Sequence, residues 1–161
     1  MKTIVATMMM TNAFASNILM EVSNNAPSGF KWGDRASSET MELVFAVKQQ
    51  NLDKLHDTFM DVSDPDSPSY GHHLSNEEVH ELVRPSKEDS NAVETFLRAS
   101  GFEPVSLTPN SDFLRVDVTV EESENLLNTE YRYIEHEETG VSFVRTTHYS
   151  LPEEVANGTS R

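Results

Sequence analysis

The chain has 161 residues, with 27 acidic side chains against 12 basic ones and a formal net charge of −15. That length suits one domain, and the acidic balance argues against nucleic acid or an anionic membrane as partner, since both need a basic face. Cysteine is absent, which excludes disulfides and thiolate chemistry, and no run reaches the roughly 18 apolar residues of a spanning helix.

Residues 1–15 have the layout of a signal peptide. Lys2 is a small positive region, Ile4 to Met10 a short apolar one, and Ala13-Phe14-Ala15 places small residues at −3 and −1 of a cleavage site after Ala15. Thr7 and Thr11-Asn12 weaken the apolar run. Residues 16–40 show no sustained period and contain Pro27, Gly29 and Gly33. They are predicted to form an irregular arm, with Phe30 and Trp32 as its anchors, on its own domain or on a partner.

Glu42 to Lys48 alternates as a strand, with Leu43, Phe45 and Val47 on one face and Val44 and Ala46 apolar on the other, which predicts a central strand. Asn51 to Val62 reads as a helix with Leu52, Leu55, Phe59 and Val62 as its apolar stripe and Asn51 as N-cap. Asp64 to Gly71 is turn chemistry: Pro65 and Pro68 fix φ, Asp64 and Ser67 can bond the backbone locally, and Gly71 permits positive φ. Ser75 to Arg84 is a short helix opened by a Ser75/Glu78 capping box, with Leu74 and Val79 at the staple positions, and stopped by Pro85.

Ser86 can cap a third helix that runs to Ser100, with Val93, Phe96 and Leu97 inward and Gly101 after its end. Val105 and Leu107 mark a strand, Pro109 to Asp112 a hairpin loop, and Phe113 to Val118 a strand with Leu114, Val116 and Val118 on the core side. Thr119 and Glu122 form a second capping box before a helix to about Leu127. Tyr131 to Ile134 and Val141 to Arg145 are strands around a Thr139-Gly140 turn. The order strand, helices, strand, strand, helix, strand predicts an α+β, ferredoxin-like (split β-α-β) antiparallel sheet with helices on one face. Residues 148–161, with Tyr149, Leu151 and Pro152 followed by Glu153-Glu154 and small polar residues, are predicted to be a tail or linker. Asn157-Gly158-Thr159 has the form of an N-glycosylation acceptor.

Four stretches carry a family resemblance in the right order. They are Leu43-Val44-Phe45-Ala46-Val47-Lys48-Gln49, Ser67-Pro68-x-Tyr70-Gly71 with Leu74-Ser75-x-Glu77-Glu78-Val79, Glu137-Glu138-Thr139-Gly140 with Val144-Arg145, and Tyr149-Ser150-Leu151-Pro152. Together they resemble the activation prodomain, of pro-kumamolisin type, of sedolisin-family serine-carboxyl peptidases, over roughly Ala26 to Ala156. The resemblance implies the same ferredoxin-like fold, with the prodomain at 41–147 and 148–161 leading towards a catalytic domain. It further implies that the chain is a chaperone and pH-released inhibitor of a sedolisin-type catalytic domain, in cis or in trans, and that it is secreted or lysosomal/vacuolar. Tyr70, Gly71, His72, Leu74 and Glu78 are the candidates for shaping the partner interface. Tyr149, Leu151 and Pro152 mark the region of processing.

No enzyme site is expected in the chain itself. There is no Gly-x-Ser-x-Gly, and the resemblance supplies no counterpart here to the family's Ser-Gly-Thr-Ser-type nucleophile motif or its Glu and Asp pair; Gly158-Thr159-Ser160 is only a fragment of such a string. The parent would be a serine-type endopeptidase or tripeptidyl-peptidase. No metal or cofactor is expected: His72 and His73 are adjacent on a turn rather than spaced i, i+4, and His80 with Glu77 and Glu81 lies on a helix rim. A pH trigger would rest largely on carboxylates, because protonating all six histidines moves the charge only from −15 to −9. The rival expectation is a stand-alone ferredoxin-like interaction or ligand-sensing module with no peptidase partner.

Overall fold

The computed structural model describes residues 16–23, 25–37 and 39–160; the expected leader at 1–15 lies outside them. In chain order the elements are β1 (Asn17–Val22), β2 (Phe30–Arg35), β3 (Thr40–Ala46), α1 (Leu52–Ser63), α2 (Asn76–Val83), α3 (Lys87–Ala99), β4 (Val105–Ser106), β5 (Phe113–Thr119), α4 (Val120–Leu127), β6 (Tyr131–His136), β7 (Ser142–Thr146), β8 (His148–Pro152) and α5 (Glu153–Gly158). All the strand pairs are antiparallel, so the α+β class expected from the sequence is the observed one. The strands fall into three small sheets, β3-β5-β4, β2-β6-β7 and β1-β8.

The β3-β5-β4 sheet is the scaffold, with β3 at its edge rather than at its centre; the apolar Val44 on its second face is exposed instead of covered. The pleat of the sheet turns Phe45 from β3 and Leu114, Val116 and Val118 from β5 inward, and these meet Val93, Phe96 and Leu97 of α3. Leu97 and Val93 are fully buried. Each such side chain contributes about 1.5–3 kcal/mol by leaving water. The α3 stripe forms as its spacing predicts, because Ser86 Oγ accepts from Asp89 N at 2.9 Å at the helix start and Gly101 adopts φ 92 after its end.

Two regions differ from the sequence expectation. Residues 16–40 are not irregular: β1 pairs with β8 and β2 with β6. Their partners lie more than ninety positions away, so no local period announces them. Residues 148–160 are not an exposed tail. Ser150 and Leu151 are buried in β8, and Val155, Ala156 and Gly158 of α5 are buried as well. α5 lies against α3 so closely that a Cβ on Gly158 would sit 3.2 Å from the Cα of Asp89. A handful of apolar residues among polar ones was enough, because each is fully enclosed.

Candidate partner interface

The α1–α2 excursion carries the residues singled out from sequence. α1 does not use its apolar stripe for the core: Val62 is buried, but Leu52, Phe59 and Met60 are 53–60% exposed. Asn51 holds the N-cap position of α1, but its side chain accepts no capping hydrogen bond. It sits in the left-handed region (φ 55, ψ 28), and its Nδ2 donates instead to Leu82 O at 2.7 Å, tying the start of α1 to the end of α2. Asparagine tolerates that conformation better than most residues.

The 64–71 turn folds back on the end of α1. Asp64 Oδ1 accepts from Asp66 N at 3.0 Å, Ser67 Oγ donates to Asp61, and Gly71 N donates to Val62 O at 2.9 Å. Gly71 has φ 75 with open space where a Cβ would be, so its role is conformational. The Ser67 and Ser69 hydroxyls hold the Asp61 carboxyl below its ordinary value. Tyr70 next to this turn is 55% exposed, His72 is exposed, and Leu74 is half-buried.

The Ser75/Glu78 capping box is complete: Ser75 N donates to Glu78 Oε2 at 2.8 Å, and Glu78 N donates to Ser75 Oγ at 3.2 Å. The Ser75 backbone N–H, then its hydroxyl, hold the Glu78 carboxyl below the ordinary glutamate value. Glu78 is thus committed to its own helix. Among the predicted interface residues Tyr70 and His72 present side chains outward, while Gly71 and Glu78 shape the segment that carries them.

A second surface lies on the sheet. On the outer face of β3-β5-β4, Val44, Val105, Leu107 and Phe113 are 40–50% exposed. Val44 and Val105 flank Arg115 across the sheet, and Leu107 N donates to Phe113 O. Arg115 pairs with Glu42 at 3.5 Å and Asp117 at 3.8 Å. Phe113 shares the outward register of Arg115 and Asp117, and that alternation is the signal along the chain for its exposure.

The processing candidates lie apart from this excursion. Tyr149, Leu151 and Pro152 are all in β8, where Leu151 belongs to the core with Val155 and Tyr149 packs against it. Asn157 is exposed in the last turn of α5, but Thr159 is 9% exposed and its Oγ1 donates to Ala156 O. Among the described residues no group of three or more histidines and carboxylates converges as a metal site, and no helix is long and apolar enough to cross a membrane.

The chain thus combines antiparallel sheets, an apolar outer sheet face and a capped helical excursion in one α+β domain. Residues 30–160 match the family model described as the pro-kumamolisin activation domain, and the chain belongs to that family. It is similar to tripeptidyl-peptidase sed1 of Aspergillus fumigatus, 40% identical over 121 residues, which is 74% of this chain and 18% of that protein. It is likewise 34% identical to tripeptidyl-peptidase 1 of Homo sapiens over 132 residues, 81% of this chain and 23% of that one. Tripeptidyl-peptidase SED2 of Arthroderma otae is 29% identical over 146 residues, 90% of this chain and 24% of the relative. The chain therefore spans less than a quarter of the length of these curated relatives.

Proposed function

We propose that the chain acts as the activation prodomain of a sedolisin-type serine peptidase: a folding template for the catalytic domain and an inhibitor released by acid. The observation that carries this reading is the outer face of β3-β5-β4. Val44, Val105, Leu107 and Phe113 form an apolar surface around Arg115 within a family whose relatives are named as tripeptidyl-peptidases. Such a surface is the centre of an interface, where apolar contact supplies affinity and a central arginine fixes register. The α1–α2 excursion, with Phe59, Met60 and Tyr70 exposed, offers a second apolar surface.

Acid release follows from the carboxylates. Glu78 and Glu122, each in a capping box, are held below the ordinary value of 4.5 by the backbone and hydroxyl donors of Ser75 and Thr119. Groups with depressed folded-state pKa values stabilise above their unfolded values, and that contribution is lost as pH falls through the folded ones. The loss begins below about pH 4.5 and loosens the start of α2, within the exposed excursion, and the start of α4. The chain enters the secretory route through residues 1–15 and acts on its peptidase in cis or in trans.

The test is titration of residues 16–161 against a mature sedolisin-type peptidase at about pH 6 and about pH 4. Tight inhibition at the higher pH that fades at the lower one is the expected result. Equal inhibition at both would remove the acid trigger. No binding at either pH would favour a free-standing interaction module, and the prodomain role would fall.

A further inference from the structure

β3 is an edge strand whose outer side is filled at one end only. β5 pairs along its whole length on one side. On the other side Lys48 N donates to Gly158 O at 2.8 Å, Val47 bridges Thr159 in antiparallel sense, and Ser160 N donates to Ala46 O at 2.8 Å. Successive residues of a strand direct their backbone groups to alternate sides. Val47 N donates towards β5, to Asp112 O, so Ala46 and Lys48 face the other way. By the same alternation Val44 and Glu42 also face the open side. Among the described residues neither has a backbone partner there.

Beside this edge runs a groove of about 530 Å³, lined by Leu43 to Ala46, by Val144 to Tyr149, and by Thr159 and Ser160 themselves. Leu127 and Leu151 give it an apolar lining. Thus the polypeptide leaving α5 has already begun to add a strand to β3, and the groove continues in the direction of that strand.

We propose that the open edge of β3 is a strand-acceptor site, and that its occupant is polypeptide running on from Ser160, laid antiparallel along β3. The bridge between Val47 and Thr159 fixes the register. The second residue past Ser160 falls opposite Val44 and the fourth opposite Glu42, and their backbone groups meet the unpaired N–H and C=O groups of those two residues. The residue opposite Leu43 faces the core side and takes an apolar side chain. Main-chain pairing of this kind is the general mode by which a sheet edge captures an extended segment. The curated relatives carry far more polypeptide than this chain covers, so a strand of this length is a small demand on a protein of the family.

The experiment extends the chain past Arg161 by about six alternating valine and threonine residues, the usual length of a strand. A second extension carries proline opposite Val44 and opposite Glu42, which removes the donors the pairing needs. Amide hydrogen exchange is followed by NMR in both and in the unextended chain, together with the thermal midpoint. The expected result is that exchange at the Val44 and Glu42 amides slows by about tenfold or more only in the valine–threonine form, with a higher midpoint. Equal exchange in all three chains would overturn the proposal. So would equal protection in the proline form, which would mean coverage without strand pairing.

Discussion

Asn51 Nδ2 donates to the carbonyl oxygen of Leu82 at 2.7 Å, and that bond joins the two ends of the α1–α2 excursion. It coincides with a second link, Gln50 Nε2 to Arg84 O at 3.1 Å. The excursion has little buried apolar surface of its own, with Val62 and Val83 as its buried residues. Its position on the body therefore depends on such polar ties more than the sheet does.

Replacing Asn51 separates its two roles. Asn51→Gly keeps the left-handed backbone and loses the bond to Leu82, at about 1 kcal/mol. Asn51→Val loses both and adds backbone strain, for a total of about 2–4 kcal/mol. Urea unfolding of the two variants checks the order. Equal losses would show that the backbone conformation at residue 51 is unstrained for valine.

Leu151→Ala is expected to cost about 2–5 kcal/mol, as for any enclosed leucine, since Leu151 is 3% exposed. A residue at the start of a solvated linker would cost almost nothing. Gly158→Ala should also destabilise, because the new methyl meets the α3 backbone at Asp89. Thermal unfolding of both variants decides whether β8 and α5 belong to the folded unit.

Stability should fall on acidification below about pH 4.5. Glu78, Glu81, Glu122 and Glu124 all have carboxyls held below 4.5, Glu81 chiefly by its hydrogen bond from Arg84 and Glu124 chiefly by that from Arg35. Depressed values place the stabilising contribution above the unfolded pKa and its loss below. Glu78→Gln removes a single such group. Its unfolding midpoint should therefore vary less steeply between about pH 5 and about pH 3 than that of the parent, by the contribution of that carboxylate alone. An identical slope would mean that the α2 cap has no share in acid sensitivity.

Phe113→Asp and Val44→Asp place charge on the outer sheet face without touching the core, where surface changes usually stay within about 0.5 kcal/mol. Inhibition of a sedolisin-type peptidase at neutral pH should weaken by about tenfold or more for each, as expected of an apolar interface centre. Circular dichroism and the thermal midpoint serve as controls for folding. Unchanged inhibition would move the interface away from β3-β5-β4, and Tyr70→Ala would then be the variant to examine.

Much of the fold could be read along the chain where the signal is local. The boxes at Ser75/Glu78 and Thr119/Glu122, the Ser86 cap, the α3 stripe and the inward side of β5 all appear where their spacing puts them. The exposed apolar residues were the harder case. Leu52 and Phe59 keep a regular helical spacing, yet no element covers them, because α1 stands against α2 and away from the main core. Spacing reports which residues share a face; it does not report what that face meets.

The helix ends, the turn at Gly71, the α+β class and the family were all legible in the order of residues, since these depend on hydrogen bonds within a few positions or on motifs in a fixed sequence. Long-range packing settled the rest: that β1 and β8 pair across more than a hundred residues, that Leu151 and Val155 close the core, and that β3 keeps an open edge beside Ser160. Each of those depends on contacts whose favourable energy appears only once distant segments have been brought together, and nothing in the local pattern encodes it.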